Sequence, residues 1–192
     1  GRLVIVANHP IGSLDGLAVL KMVADIRPDV RVVANEVLYA LAPLRSLLLP
    51  VDNLTHKTRK ENIRAIGEWL AQEGVVIIFP AGEVSTYRDG KLVVDRPWEE
   101  AAMKLVKRAE VPVVPIYFHA KNSRLFYKLS QISDTLRTAK LPSEVLSQKR
   151  RVVKVRIGKP ISVADQREYE SLEDFSEFLR RKTYMLSNAF EE

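Results

Sequence analysis

His9 and Asp15 are the residues in this chain best suited to moving a proton. They bound the segment Asn8-His9-Pro10-Ile11-Gly12-Ser13-Leu14-Asp15, with five residues between imidazole and carboxylate. A carboxylate that reaches an imidazole fixes its tautomer and favours the imidazolium, so the pair suits a general base acting on a hydroxyl or amine. The same residues also read as a helix start, with Asp15 or Ser13 as a cap and His9 filling a pocket. A second segment, Phe79-Pro80-Ala81-Gly82-Glu83-Val84-Ser85, holds the other candidate groups. Gly82 lets backbone approach a ligand closely, and Glu83 adds a carboxylate, although a tight turn with a solvated Glu83 fits the same letters. A third segment, Val111-Pro112-Val113-Val114-Pro115, brackets an apolar run with prolines and on its own is structural.

Other chemistries are excluded early. The chain has no cysteine, so disulfides, thiolate zinc sites and a cysteine nucleophile are ruled out. Its 3 histidines, His9, His56 and His119, are too scattered for an HExxH-type site. No GxSxG elbow occurs. No metal and no bound cofactor are expected.

The elements that must position these groups follow from hydrophobic periodicity. Leu3–Ala7, Val30–Ala34, Val75–Phe79 and Val113–Phe118 are short apolar runs that read as buried strands. Val93–Val94 and Val152–Ile157 predict two more. Helical spacing marks Leu14–Ile26, Thr58–Gln72 (with Ile63, Ile66, Trp69 and Leu70 on one face and Gly74 as its stop), Trp98–Ala109 and Asn122–Thr138. Residues 171–187 predict a terminal acidic helix, and Pro43 breaks the apolar stretch Val37–Leu49. Strands alternating with helices predict an α/β fold, a largely parallel or mixed central sheet flanked by helices. In such sheets ligands bind outside the carboxyl ends of the strands, where both motifs fall.

The net charge of +6 is unevenly spread: residues 121–159 hold 11 basic and 2 acidic groups, and residues 165–192 hold 4 basic and 8 acidic. Such a basic segment suits anionic lipid head groups or an acidic carrier, or is simply a solvated face. It lacks any recognisable nucleic-acid reading motif, and no nucleic acid partner is expected. Leu125, Leu129, Ile132 and Leu136 form one stripe on the helix within it. No run of 18 apolar residues exists. The start at Gly1, leading directly into LVIVA, reads as an excerpt lacking the native N-terminal region.

Taken in order, the three motifs resemble the PlsC-type glycerophospholipid acyltransferase family: an NH…D motif after a strand, an FPEGTRS-like block, then a VPVVP-like segment. The resemblance covers roughly residues 3–130. It implies His9 as base, Asp15 as its partner, and the Phe79–Ser85 loop as acceptor site. Phe79, Pro80, Gly82, Glu83, Ser85, Pro115, Asn8 and Asn122 are the substrate-binding residues it suggests. The departures point to one branch. The His–Asp spacing is one residue longer than usual, and the block reads FPAGEVS, so Val84 stands where the family has its phosphate-holding arginine. The stretch Leu49-Pro50-Val51-Asp52-Asn53 lacks a second arginine, with Arg45 close by. NHPxGxxDG, FPAGEVS, Asn62 and Asn122-Ser123 are similar to the hemolysin-like or lyso-ornithine-lipid acyltransferases.

The resemblance implies one acyltransferase domain over residues 1–192. It would move a fatty acyl group from coenzyme A or acyl carrier protein to a lysolipid hydroxyl. The setting implied is peripheral, on the cytoplasmic face of an anionic membrane. With two arginines lost and Glu83 gained, an acceptor bearing an amine or no charge is expected over lysophosphatidic acid. The rivals are a hydrolase using the same pair on water and a non-catalytic lipid-binding domain.

Overall fold

A computed structural model describes residues 1–35, 42–51, 60–88, 92–133, 140, 143–144 and 152–190. A six-stranded sheet runs in the order β3 (Leu48–Val51), β2 (Val30–Asn35), β4 (Val75–Ile78), β1 (Leu3–Ala7), β7 (Val113–His119), β8 (Lys154–Ile157). All neighbours are parallel except β7 and β8. Parallel strands buried on both faces read as unbroken apolar runs, which is why LVIVA and VVII carry no alternation. The antiparallel edge strand β8 exposes Lys154 and Arg156, side chains that blunt an open edge.

Successive residues of β1 feed opposite layers. Val4 and Val6 pack with Ile66 and Leu70 of α2 (Lys60–Ala71), Met103 and Val106 of α3 (Glu100–Ala109), and Phe175 and Leu179 of α6 (Leu172–Tyr184). Ile5 and Ala7 pack with Val19 and Leu20 of α1 (Ser13–Ala24) and with Phe118. Complete burial of each such aliphatic side chain contributes about 1.5–3 kcal/mol, so the central strands anchor both layers.

Several elements differ from the sequence reading. A two-stranded antiparallel ribbon, β5 (Thr86–Arg88) with β6 (Leu92–Val94), follows the FPAGEVS segment and interrupts the α/β alternation. A short helix, α5 (Val163–Arg167), is started by a Ser162–Asp165 capping box. The chain at Pro43 forms a 3-10 helix, Ala42–Leu47, leading into the amino end of β3, and Arg45 lies there. In α2 the buried face is Ile66 and Leu70, while Ile63 is exposed. Its end is made by Glu73, at φ 65, rather than by Gly74. Gly74 is there for space, because a Cβ would overlap the Trp69 indole nitrogen. In α3 the buried residues are Met103 and Val106, flanked by Ala102, Leu105 and Ala109.

Helix α4 (Arg124–Ile132) turns Phe126 and Tyr127 inward and leaves Leu125 53% and Ile132 75% exposed. The predicted stripe is therefore not the core face. Leu136 lies outside the described residues, as do Val37, Asp52, Asn53, His56 and Thr58.

Candidate active site

The carboxyl ends of β4, β1 and β7 lie side by side at the centre of the sheet. From them emerge the Phe79–Ser85 loop, the Asn8–Gly12 loop and the Ala120–Ser123 turn. Gly12 sits at φ 82, ψ −136, a conformation that side-chain-bearing residues avoid, and it turns the chain into α1. The turn carries Asp15 back under His9. One carboxylate oxygen, Oδ2, accepts from the backbone N–H groups of Ile11 (2.9 Å) and Gly12 (3.1 Å) and lies 3.2 Å from Nδ1 of His9. Asp15 therefore does both things its position permits: it holds the helix start, where a negative charge is favoured, and it faces the imidazole. Nδ1 and Oδ2 are close enough to attract one another, although the N–H is not well aligned for a full hydrogen bond.

Asp15 is fully buried, and its second oxygen has no hydrogen-bond partner among the described residues. Burial pushes its carboxyl above the usual carboxylate range, while His9 and the two amides pull it back part of the way. The His9 side chain is 17% exposed, with its ring 4.4 Å from that of Phe79. Nδ1 faces Asp15, so Nε2 is the nitrogen left to meet a substrate.

Asp95, at the end of β6, was not foreseen. It is buried, and its Oδ1 accepts from the backbone N–H of His9 (3.1 Å) and from the Ser85 hydroxyl (2.6 Å). Oδ2 lies 3.4 Å from the Trp98 indole nitrogen. Ser85 in turn donates its N–H to the His9 carbonyl (2.9 Å), so both main-chain groups of His9 are fixed. Beneath this hub, the Asp95 N–H donates to the Tyr184 hydroxyl and the Asp95 carbonyl accepts from Arg180. Burial, then the Asp95 charge, pushes the Tyr184 hydroxyl well above the usual phenol range.

The FPAGEVS loop is shaped by the same contacts. Gly82, at φ 68, closes a turn in which its N–H donates to the Phe79 carbonyl, and the Pro80 carbonyl accepts from Glu99. Val84 is buried in an apolar cluster with Phe126 and Tyr127, which ties the loop to α4. The position where the resembling family has an arginine is thus a packing position here. Glu83, half-buried rather than fully solvated, meets a cation of the same chain. Its Oε1 lies 2.9 Å from Nε of Arg96, with the two side chains 30% and 50% exposed.

The remaining sequence candidates divide. Asn8 is spent on structure: its amide pairs with both the N–H and the carbonyl of Phe118, clamping the end of β1 to β7. Asn122 donates to the Pro10 carbonyl at 3.2 Å, which holds the start of α4 beside the His9 loop. Pro115 is not brought to this cluster; it is buried within β7, its ring against Gly158, where a Cβ would meet Pro115 Cγ at 2.7 Å. A cavity of about 800 Å³ opens beside the ribbon, lined by Asp95, Arg96 and Trp98 and by residues of α6. Neither His9 nor Asp15 lines it. Among the described residues no group of His, Asp and Glu could hold a metal ion, and no helix is long and apolar enough to cross a membrane.

Comparisons with known proteins agree on the kind of protein. A family model described as Acyltransferase matches residues 1–192. A lyso-glycine lipid O-acyltransferase of Phocaeicola vulgatus is 27% identical over 193 residues, 97% of this chain and 68% of its own length. One of the same name from Bacteroides thetaiotaomicron is 30% identical over 169 residues, 84% of this chain and 61% of its own length. The crystal structure of the 1-acyl-sn-glycerophosphate acyltransferase PlsC from Thermotoga maritima shares the fold, with a TM-score of 0.58 at 16% identity. That match covers all of this chain and 67% of the other.

Proposed function

Since this chain belongs to the acyltransferase family, whose model it matches from end to end, we propose that it transfers a fatty acyl group from an acyl thioester to the hydroxyl of a lysolipid. The thioester is carried by coenzyme A or acyl carrier protein. The observation that carries the mechanism is the 3.2 Å contact between Nδ1 of His9 and the buried Asp15. Held in this way, His9 takes the acceptor's hydroxyl proton on Nε2 as the oxygen attacks the thioester carbonyl. Asp15 stabilises the imidazolium that forms. The tetrahedral intermediate then collapses, the C–S bond breaks, and the proton passes from Nε2 to the departing thiolate. The ester product, the free thiol and neutral His9 close the balance. Without a cysteine, and with the Ser85 hydroxyl committed to Asp95, direct transfer is favoured over an acyl-enzyme.

An acyl-transfer assay across a panel of lysolipids, with each donor in turn, tests the reading. The expected result is ester formation that requires the acceptor. Release of thiol at the same rate with and without acceptor would establish a thioester hydrolase instead.

Lysolipids reside in bilayers, and α4 is the element suited to meeting one. It exposes Leu125 and Ile132 beside the exposed Lys121, Arg124 and Lys128. Asn122 places its start next to Pro10 in the His9 loop. A basic residue close to an anionic surface contributes about 1 kcal/mol, and salt weakens the attraction. Co-sedimentation with vesicles is expected to rise with anionic lipid and to fall with salt. Ile132→Asp and Lys128→Glu should each lower it. Equal binding to neutral vesicles, or none to anionic ones, would remove the membrane from the account.

A further inference from the structure

We propose that Glu144 is a positioning residue for acyl transfer: it fixes the turn before α4, and that turn fixes the His9 loop. The inference rests on the acyl-transfer reading above and adds to it a residue that no motif marks. Glu144 is 2% exposed, and both of its oxygens are engaged by one residue, Ser123, which lies 21 positions away in the chain. Oε2 accepts from the Ser123 N–H at 2.8 Å, and Oε1 accepts from the Ser123 hydroxyl at 2.7 Å. Nζ of Lys140 stands 3.6 Å from Oε1 and balances part of the charge. Two bonds to one residue set both where Ser123 sits and how it is turned. The Ser123 hydroxyl then accepts the Phe126 N–H at 3.2 Å and starts α4.

From Ser123 the hold passes to the His9 loop through Asn122. Asn122 is 7% exposed, its N–H meets the Tyr127 hydroxyl at 3.1 Å, and its Nδ2 donates to the Pro10 carbonyl at 3.2 Å. Pro10 follows His9, and a proline has no N–H, so its carbonyl is the main-chain polar group by which a partner can hold it. The other main-chain groups of the loop are held by Asp95, Ser85 and Asp15. Asp15 is carried by α1, and Ser85 and Asp95 brace one another at 2.6 Å. Asn122 instead stands on a turn beyond β7, and its seat against Pro10 depends on the hold that Glu144 has on Ser123. A carboxylate in a buried place costs desolvation, and capping α4 needs only Ser123. What the charge adds is short, strong bonds at a helix start, where a negative charge is favoured, and so a narrower range of positions. Phe126 and Tyr127 follow on the first turn of α4 and pack against Val84, so the FPAGEVS loop takes its setting from the same turn.

Steady-state kinetics with a thermal-unfolding control separate position from stability. Glu144→Ala is expected to lower kcat by about 10²-fold, the effect of a misplacement of about 1 Å in a catalytic group, with KM for donor and lysolipid nearly unchanged. Glu144→Gln keeps one oxygen acceptor, and its kcat should lie between that of Glu144→Ala and wild type at the same KM. If Glu144→Ala does not fold, the Gln variant carries the comparison. Leu70→Ala, which opens a cavity in the core beside α2, should lower Tm at least as far and leave kcat at the wild-type level below its transition. Because Glu144 acts through Asn122, Asn122→Ala should lower kcat by a similar factor, and the double variant should lose no more than the worse single one. Wild-type kcat in either folded Glu144 variant would overturn the assignment while leaving acyl transfer intact. So would additive losses in the double variant, or a raised KM with kcat kept, the result expected if Glu144 only shapes the path of the lipid. An equal fall of kcat in Leu70→Ala would reduce Glu144 to a structural residue. Absence of acyl transfer by wild-type protein would overturn the reading on which the assignment rests.

Discussion

His9→Ala is expected to lower acyl transfer by about 10²–10⁴-fold, the usual contribution of a positioned general base. The fold should survive, because the His9 loop is fixed through main-chain groups: its N–H by Asp95, its carbonyl by Ser85. Circular dichroism and thermal unfolding check the fold, and initial rates at saturating donor check the chemistry. Near-normal transfer by folded His9→Ala would end the general-base account. Asp15→Asn should also lose activity, since an amide cannot stabilise the imidazolium, yet its stability should move in the opposite direction. The Asp15 carboxyl titrates above its unfolded value because of burial. Between those two values the native state binds the proton that the unfolded state has released, so stability falls as pH rises through the window. Above it, toward neutral pH, wild-type protein carries the full cost of a buried charge. Asp15→Asn removes that titration, so the variant is expected to unfold no more easily than wild type near neutrality and to show a flatter pH profile from acid to neutral. A variant that unfolds more easily at neutral pH than wild type would show that the helix-start contacts to Ile11 and Gly12 need the charge.

Asp95→Ala should be the most damaging substitution outside the pair. It leaves the His9 N–H, the Ser85 hydroxyl and the Trp98 indole without their acceptor in a buried place. Each orphaned buried donor costs about 1–3 kcal/mol, and relaxation of the hydroxyl brings the expected total to about 3 kcal/mol. For a chain of this length that corresponds to a fall in Tm of roughly 6–12 °C. Activity should fall further than stability alone accounts for, by about 10²-fold, because a misplacement of about 1 Å in a catalytic group has that effect. Asp95→Asn, which keeps one oxygen acceptor, should recover much of the Tm and part of the rate. Asp95→Ala with wild-type Tm and wild-type kcat would show that the hub is dispensable.

Much of this was legible in the letters because the physics behind it is local. Four apolar runs gave the central strands, since burial on both faces of a parallel sheet leaves no other composition for them. His9 and Asp15 could be paired from spacing because one tight turn, forced by Gly12, joins them. Asp15 stands at the third residue of α1, where local backbone amides select a carboxylate. The ends of the elements were less legible. The β5–β6 ribbon was missed on one side because Thr86–Arg88 carries no apolar signal of its own. The stripe through Leu125 and Ile132 was legible from spacing, but the inward turn of Phe126 and Tyr127 depends on Val84 and Tyr87, partners far away in the chain.

What only the tertiary structure decided is the surrounding of the pair. Asp95 is 86 residues from His9 in sequence, and Arg96 and Glu83 meet across the ribbon. No period or spacing marks such residues, because their partners are chosen by the order of strands in the sheet. That order, β4 beside β1 beside β7, results from burying apolar strands between two helical layers. Polar side chains at the strands' carboxyl ends then acquire neighbours that their own segments do not specify. The sequence by itself thus determined the pairing of His9 with Asp15 and the sheet that presents them. Its Asp95 support and the Arg96–Glu83 charge pair were decided by long-range packing, which brings together groups that local backbone forces cannot relate.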